Sequence, residues 1–223
     1  SLTVFEKNGF TLQSGVIDIN TIDTIKSELV SLPESMPAHG LRNAEKKLKS
    51  INKLASSEDM LSLANRYLTG EPALVRAIVF DKTSDKNWLV TWHQDKTISV
   101  NRRADIDGWG QWSLKDNIHH VQPDTTVLND MVTLRIHLDN ATSTNGCLKV
   151  ISDSHQHGIL KQSQIDDIAA NSSHIECEAN AGDILIMRPL LLHASSKGSE
   201  PSHRRIVHLE YSSYVLPEGL RWI

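Results

Sequence analysis

A histidine and an acidic residue stand two positions apart at four places in the sequence, a spacing that can supply two ligands to one metal ion. These pairs are His93/Asp95, His137/Asp139, His174/Glu176 and His208/Glu210. Residues two apart in an extended strand face the same side, so both side chains of a pair can reach one point. With 11 histidines and 27 acidic residues among 223, the spacing also arises by chance. The surrounding sequence therefore has to identify the pair that does chemistry.

The pair His93/Asp95 ends the segment NWLVTWHQD, which has the composition of a strand. A third ligand can come from His193 in LLLHASS, at the end of an apolar strand where the chain leaves the core. Two imidazoles and one carboxylate form the facial triad that suits Fe(II), and this triad leaves three positions open for a cosubstrate and oxygen. These three side chains are candidate iron ligands.

Two further residues predict a carboxylate site beside this triad. A short loop over 196–203 returns the chain into RRIVHLEY, and the resulting hairpin brings Arg204 near His193. Ser195 falls on the same side of its strand as His193. The planar guanidinium of arginine binds a carboxylate through two hydrogen bonds and stays charged. Arg204 and Ser195 could therefore hold the distant carboxylate of a keto diacid whose other end chelates the metal.

Helices are predicted at the start of the fold that has to position these residues. Apolar residues recur at helical spacing in the first 70 residues, as in Ile22, Ile25 and Leu29. A further helix is expected over about 58–68, with Ser56 or Ser57 as its N-cap.

From residue 73 the pattern changes to strands, among them ALVRAIVF, MVTLRIHL, CLKVIS, HIECEA, DILIMRPLLLHAS and RRIVHLEY. No helix-length crossover separates most of them, which favours an antiparallel jelly-roll core over a parallel sheet. The prediction is one mainly β domain spanning 1–223. It has a helical part over about 1–70 packed outside a double-stranded β-helix (cupin-like) core over about 73–215.

The segment 96–130 interrupts the strand pattern and is expected to be a long irregular insertion, of the kind that often forms a lid or binding loop. A surface excursion pinned by Trp109 and Trp112 is the alternative. Of the neighbours His119 and His120, at most one can reach the site, since adjacent strand residues point apart. Arg102 and Arg103 could clamp a substrate anion or form a solvated charge pair.

Composition narrows the class of partner. The 24.9 kDa chain is 39% hydrophobic and 22% charged, as globular proteins are, and its formal charge of -4 provides no broad basic field for nucleic acid. No apolar run approaches the ~20 residues that cross a bilayer, and the first residues lack a secretory pattern. Two cysteines are too few for a disulfide framework. A cytoplasmic protein that binds a small molecule, without nucleic acid or membrane, is expected.

Taken together, these motifs resemble the phytanoyl-CoA dioxygenase superfamily of Fe(II)/2-oxoglutarate oxygenases over most of the chain. The segments FEKNGFTLQSGVID, WHQD, NGCLKVISDSH and GDILIMRPLLLHASS, with the arginine that follows, occur in the family's order. The step of 11 residues from His193 to Arg204 and the serine two after His193 also follow the family pattern. The resemblance implies that iron is bound by His93, Asp95 and His193, and that the tail of 2-oxoglutarate is held by Ser195 and Arg204.

Other positions follow the family pattern less closely. Arg135 matches a position that contacts the cosubstrate in relatives where it is aromatic, and it shares a strand face with Thr133. Arg205 is the reserve candidate for the role of Arg204. The segment SDSH, residues 152–155, replaces the usual Pro-Gly-Ser-His. Related halogenases replace the metal carboxylate with a small residue, so Asp95 favours hydroxylation.

The resemblance implies an oxygenase that uses Fe(II), 2-oxoglutarate and O2 to hydroxylate an unactivated C–H bond of a small molecule, releasing succinate and CO2. Desaturation or ring closure could use the same triad. A metal-binding barrel without catalysis, acting as a sensor or binding module, is the alternative from another class. Neither the substrate nor the oligomeric state can be deduced from the sequence.

The remaining pairs have simpler explanations. His137/Asp139 is expected to end a strand and enter a turn, and His174/Glu176 alternates as a half-exposed strand would. Alternation from Arg204 places His208 and Glu210 on the inward face of their strand. Either this last pair lines the barrel interior or a bulge changes its face.

Overall fold

The computed structural model describes residues 2–33, 36–37, 40–82, 89–199 and 202–223. Most of its helices precede residue 73, as predicted, but two short strands, Phe10–Gln13 and Leu41–Arg42, lie among them and were not predicted. Ser57 is the N-cap of the helix that begins at Glu58, and its Oγ accepts a hydrogen bond from the Met60 amide at 3.3 Å. The helices are α1 (Leu2–Asn8), α2 (Ile19–Val30), α3 (Ala44–Lys47), α4 (Lys49–Ala55), α5 (Glu58–Asn65), α6 (Thr125–Asn129) and α7 (Gln162–Asn171).

Each of the predicted apolar runs contains a strand. Residues 87–88, with which one of these runs begins, lie outside the described part of the chain. The strands are β1 (Phe10–Gln13), β2 (Leu41–Arg42), β3 (Ala73–Lys82), β4 (Val90–His93), β5 (Ile98–Val100), β6 (Gly110–Lys115), β7 (Ile118–Gln122), β8 (Met131–His137), β9 (Leu148–Val150), β10 (Ile175–Cys177), β11 (Ile184–Met187), β12 (His193–Ser195) and β13 (Arg204–Ser212).

The strands form antiparallel sheets in the arrangement expected of a jelly roll. The major sheet has the order β1-β11-β8-β13-β3-β2, and the minor sheet has the order β10-β9-β12-β4. A third sheet, β5-β7-β6, comes from the segment between β4 and β8. The prediction of a mainly β, jelly-roll core is confirmed.

The N-terminal helices cover the outer face of the major sheet. Ile22 and Ile25 of α2 pack in one buried cluster with Leu134 and Ile136 of β8. Successive side chains of a strand face opposite sides, so Arg135 between these two points into the barrel. None of the helices in the described residues is both long enough and apolar enough to cross a membrane.

The apolar run DILIMRPLLLHAS was predicted as one strand, and this prediction is wrong. It forms two strands in different sheets, because the chain leaves the major sheet after Met187 and enters the minor sheet at His193. Pro189 in the connection has no amide to donate to a ladder, and a turn closes where the Leu191 amide bonds to the Arg188 carbonyl at 3.2 Å. His193 therefore begins a strand instead of ending one.

The segment 96–130 was predicted to be irregular, and this is also wrong, because it contains the third sheet and α6. The hairpin between β6 and β7 turns through Asp116 and Asn117, whose φ angles of 50° and 61° are those of a two-residue type I′ turn. Trp109 is buried in the cluster under this sheet. The aspartate and asparagine are the local signal that identifies the turn.

The segment SDSH, residues 152–155, has Ser-Asp where the family pattern has Pro-Gly, and it still forms a turn. Asp153, at the position of the family's glycine, has φ 69° and ψ -5°, which fits the third residue of a type II turn. Aspartate tolerates this left-handed conformation better than most residues do. The turn therefore does not require glycine in this chain.

Gln94 lies between the two candidate ligands His93 and Asp95 and bonds to the backbone of two other segments. Its buried amide donates to the carbonyls of Gly158 at 2.8 Å and Leu190 at 2.9 Å, and its oxygen accepts from the Leu160 amide at 2.9 Å. The Asp95 amide bonds to the Pro189 carbonyl at 2.8 Å. These bonds fix the position of the backbone that carries His93 and Asp95.

Replacing Gln94 with leucine should remove three of these bonds and leave their backbone partners unpaired. We expect Gln94→Leu to lower the free energy of unfolding by about 3 kcal/mol. Urea denaturation measures the change. Gln162→Leu, on an exposed helix surface, is the matched control and should stay within about 0.5 kcal/mol of the unsubstituted protein. Equal stabilities of the two variants would contradict the anchoring role.

Candidate active site

The three candidate metal ligands converge at the edge where β4 pairs with β12. His93 and His193 are direct partners in this register, and their ring centroids lie 4.1 Å apart. Asp95 Oδ1 lies 3.6 Å from His93 Nε2 and 3.4 Å from His193 Nε2. One donor atom from each residue lies within 4.8 Å of the other two. Neighbouring donors around one ion at 2.0–2.2 Å stand about 3 Å apart, so the donor set fits a single metal ion.

Hydrogen bonds to backbone carbonyls orient the imidazoles of both His93 and His193 toward the candidate metal position. His93 Nδ1 donates to the Thr91 carbonyl at 2.8 Å, and His193 Nδ1 donates to the Leu191 carbonyl at 2.8 Å. A proton held on Nδ1 leaves the Nε2 lone pair available, and both Nε2 atoms face Asp95. This is the usual outer-shell arrangement of metal-binding histidines.

The charge states around the triad suit a cation. Burial alone would raise the pKa of Asp95, but the neighbouring His193 and His93 outweigh it and hold that pKa well below its usual range. Burial lowers the pKa of His193, which favours the neutral imidazole. Burial would also lower the pKa of His93, but the hydrogen bond and the charge of Asp95 outweigh it and raise that pKa. An ionised carboxylate and a neutral imidazole are the forms that bind metal.

Arg204, Ser195 and Lys82 form a cationic cluster in the same cavity, which has a volume of about 420 Å³. Lys82 is directly opposite Arg204 in the pairing of β3 with β13, and its Nζ donates to Ser195 Oγ at 3.0 Å and to the Ser196 carbonyl at 2.9 Å. Arg204 is 5% exposed, and its Nε is without a hydrogen-bond partner among the described residues. The predicted residues Ser195 and Arg204 are thus brought together.

The charges in this cluster repel one another. Burial first, and then the charge of Arg204, lowers the pKa of Lys82 to about 8. Burial and the charge of Arg135 lower the pKa of Arg204 to about 10. An anionic ligand placed among these cations would relieve both the repulsion and the cost of burial. The cluster is therefore a site prepared for an anionic group.

Arg135 extends the positive charge toward the metal ligands. It is 7% exposed, its NH1 donates to His208 Nδ1 at 3.1 Å, and its Nε is unbonded within the described part of the chain. It interacts electrostatically with both Asp95 and Arg204. Arg135 therefore lies near both the triad and the cationic cluster, facing the cavity that both share.

His208 and Glu210 line this cavity, which decides between the alternatives that the sequence left open. The bulge in β13 comes after Glu210, between it and Tyr211, so the inward face is kept up to that point. His208 Nε2 donates to Glu210 Oε2 at 2.8 Å, and Arg76 Nε donates to Glu210 Oε1 at 2.6 Å.

Asp95, His208 and Glu210 also bring three donor atoms within 4.8 Å of one another. This second group is a poor metal site. Arg135 and Glu210 occupy the two ring nitrogens of His208, and Arg76 is bound to the carboxylate. A metal ion there would have to displace hydrogen bonds and lie against two guanidinium groups.

The other candidates have partners elsewhere. Arg205, the reserve for Arg204, donates to the Asp139 carboxylate at 2.8 and 3.0 Å. The Asp139 carboxylate is therefore part of an ion pair. Its companion in the His-x-acid pair, His137, bonds through its ring to the Asp183 carbonyl at 3.2 Å. His174 is exposed and packs against Trp92.

In the third sheet, His120 is buried and its Nδ1 lies 3.3 Å from Arg76 NH1, whereas His119 points to the opposite face of β7. This agrees with the expectation that at most one of the two reaches the site. Arg102 donates to the Glu218 carbonyl at the surface. Arg103 is exposed, as a solvated charge would be.

Sequence reasoning missed Lys82 and Arg76. Both lie on β3 and face the cavity, at a spacing of six residues that keeps them on one side of the strand. Two basic residues on a strand face that otherwise carries Ile78 and Phe80 are a signal that could have identified them.

Known proteins resemble this chain in both sequence and fold. A family model of phytanoyl-CoA dioxygenase matches residues 5–206. A curated relative, phytanoyl-CoA dioxygenase 1 from Oryza sativa subsp. japonica, is 28% identical over 95 residues, which are 38% of this chain and 33% of that protein. The match thus spans about a third of the relative's length.

Solved structures share the fold at low sequence identity. AviO1 from Streptomyces viridochromogenes Tue57 has a TM-score of 0.70 at 20% identity, covering 97% of this chain and 95% of that chain. HygX from Streptomyces hygroscopicus, solved with nickel, 2-oxoglutarate and hygromycin B bound, has a TM-score of 0.70 at 14% identity, covering 95% and 85%. The alpha-ketoglutarate-dependent carbocyclase SnoK has a TM-score of 0.72 at 12% identity, covering 95% and 82%. Since the family match spans most of the chain, this protein belongs to the phytanoyl-CoA dioxygenase family.

Proposed function

We propose that this protein is an Fe(II)- and 2-oxoglutarate-dependent oxygenase that hydroxylates a small polar molecule, with oxygen as the second cosubstrate. The observation that carries the proposal is one cavity holding both a His-Asp-His donor set and a buried cationic cluster. A metal site alone fits many functions. The cluster adds a place for the free carboxylate of a chelating diacid.

His93, Asp95 and His193 would hold the iron, and a set of three protein ligands would leave coordination positions for the cosubstrate and oxygen. When bound, iron supplies the oxidising chemistry, which converts 2-oxoglutarate and oxygen to succinate and carbon dioxide and oxidises the substrate. The carbonyls of Thr91 and Leu191 keep both rings oriented throughout. The protein thus contributes ligand geometry and the exclusion of water.

Arg204, Ser195 and Lys82 hold the distal carboxylate of 2-oxoglutarate, and Arg135 contacts the part of the cosubstrate nearer the metal. Ser195 is two residues beyond His193, which corresponds to about 7 Å along the strand. That separation suits a five-carbon diacid that chelates the metal with its other end. The two negative charges of the cosubstrate also compensate the buried positive charges around it.

A carboxylate ligand at Asp95 supports hydroxylation over halogenation, since it occupies the coordination position that chloride would need. The polar character of the other end of the cavity supports a polar substrate. Arg76 lies six residues from Lys82 on β3, about 20 Å away, so the two mark opposite ends of the cavity. The polar side chains that line the cavity outside the triad and the cationic cluster include Arg76, Lys96, Thr97, Gln111 and Gln122.

Anaerobic addition of 2-oxoglutarate to the Fe(II)-loaded protein should produce a weak visible charge-transfer band. We expect His93→Ala to lose the band, because the ion loses one of its three protein ligands. His174→Ala, which changes an exposed histidine of the same His-x-acid spacing, is the matched control. No band in the folded, iron-loaded protein would contradict the proposal and favour a binding module without oxygenase chemistry.

The cationic cluster should set the affinity for 2-oxoglutarate. We expect Arg204→Ala to raise its dissociation constant about 100-fold, since a charge-assisted pair with a carboxylate is lost. Titration of the visible band measures the constant. Arg205→Ala is the control, because that neighbour is bound to Asp139 and points away from the cavity. Similar constants for the two variants would contradict the assignment.

Binding of 2-oxoglutarate should weaken as pH rises through the pKa of Lys82. That pKa is about 8, lowered from 10.5, so the ammonium is charged below pH 8 and loses its proton above it. We expect a fall in affinity of up to about tenfold between pH 7 and pH 9. The fall should disappear in Lys82→Met. A pH profile that is the same in both proteins would show that Lys82 does not contribute.

Substrate class is tested by oxygen-dependent succinate release across a panel of compounds. We expect hydroxyl-rich and anionic small molecules to stimulate release, and fatty acyl thioesters to give only the background rate, because an acyl chain cannot pair the polar groups at the Arg76 end. Mass spectrometry of the stimulating compound then tests for one added oxygen atom. Stimulation by acyl thioesters alone would overturn the polar-substrate part of the proposal.

A further inference from the structure

Arg135 has few contacts that could fix its position. Its guanidinium lies against the Phe80 ring, 5.8 Å from the centroid, and bonds to His208 Nδ1 at 3.1 Å. No carboxylate of the described residues is hydrogen bonded to it. The direction in which Arg135 points therefore depends on His208.

Hydrogen bonds on both sides determine the tautomer of His208. A guanidinium can only donate, so Nδ1 accepts from Arg135 and carries a lone pair. Nε2 therefore carries the proton that is donated to Glu210 at 2.8 Å. The Phe80 ring meets the imidazole edge-on at a centroid distance of 5.7 Å. His208 is thus a neutral ring fixed on three sides.

Glu210 is itself held by Arg76, which connects it to the third sheet. Arg76 Nε donates to the Glu210 carboxylate at 2.6 Å, and its NH1 lies 3.2 Å from Thr97 Oγ1 and 3.3 Å from His120 Nδ1. NH2 donates to the Thr97 carbonyl. Thr97 immediately precedes β5, and His120 lies on β7. A chain of hydrogen bonds therefore runs from the third sheet to Arg135.

Strand register explains why these four residues meet. On β13, His208 is the direct partner of Arg135 on β8, and Glu210 is the direct partner of Arg76 on β3. Direct partners across antiparallel strands have adjacent side chains on the same face. The four hydrogen-bonded residues are a cation, a neutral ring, an anion and a second cation, so each donor meets an acceptor.

We infer that His208, held by Glu210 and Arg76, is a positioning residue that aims the Arg135 guanidinium at the cosubstrate. This inference rests on the proposed function, in which Arg135 contacts 2-oxoglutarate. Without Glu210, only the bond from Arg135 itself would favour the tautomer of His208 that accepts from it. Without His208, Arg135 keeps its charge but loses its only hydrogen-bonded partner within the described residues.

A double-mutant cycle between His208 and Arg135 tests the inference. The measured quantity is the dissociation constant of 2-oxoglutarate, from the visible band of the anaerobic Fe(II) protein. We expect His208→Leu and Arg135→Ala each to raise it about tenfold. The double variant should bind no more weakly than Arg135→Ala, because His208 acts through Arg135. A structural contribution independent of Arg135 would instead multiply the two effects.

Two further variants separate positioning from general damage. His208→Gln retains one acceptor and one donor and should recover affinity to within about threefold of the unsubstituted protein. His155→Leu is the matched control, because it removes an imidazole bonded to the Glu6 carbonyl at 2.8 Å, outside the cavity. It should leave the affinity unchanged. If His208→Leu does not fold, His208→Asn, which is too short to bridge both partners, takes its place.

Three outcomes would overturn the inference while the proposed function stands. These are normal 2-oxoglutarate affinity in folded His208→Leu, multiplied effects in the double variant, and no effect of Arg135→Ala. Absence of the visible band in the unsubstituted, iron-loaded protein would instead remove the proposed function on which the inference rests. The two failures are therefore distinguishable in one set of titrations.

Discussion

The pairing of β4 with β12 is the constraint on which the candidate site depends. It places His93 directly opposite His193, and without this register their Nε2 atoms could not both approach Asp95. A shift of one residue would turn each side chain to the other face of the sheet. Gln94 and the Pro189 carbonyl stabilise the arrangement by tying the ligand segment to the chain that leads into β12.

A second constraint is the positive charge buried in the barrel. Lys82, Arg135 and Arg204 share one cavity. Burial lowers the pKa of Lys82 and of Arg204, and the charge of neighbouring arginines lowers both pKa values further. Grouping several cations in a buried cavity costs stability, because burial disfavours the charged forms and like charges repel one another. Proteins retain features of this kind where a ligand provides the compensation. The cluster is therefore better explained by binding than by folding.

The third sheet and the cosubstrate end of the cavity are joined through Arg76. This arginine contacts Glu210 on β13 as well as Thr97 and His120 beside the third sheet. Because Gln111 and Gln122 of the same sheet line the cavity, the surface expected to contact substrate is attached to the residues that orient Arg135. A change in the position of this sheet would thus alter the position of Arg135 beside the cosubstrate.

The sequence by itself predicted the jelly-roll core, the His-Asp-His donor set and the presence of Ser195 and Arg204 beside it, because each follows from local spacing or from family motifs. It did not predict Lys82, the Arg76 connection, the third sheet or the break between β11 and β12. Cross-strand partners such as Arg204/Lys82 and Glu210/Arg76 come from segments far apart in the chain. Local periodicity predicts which face a residue takes, but only the register of the folded sheets decides which residue it meets there.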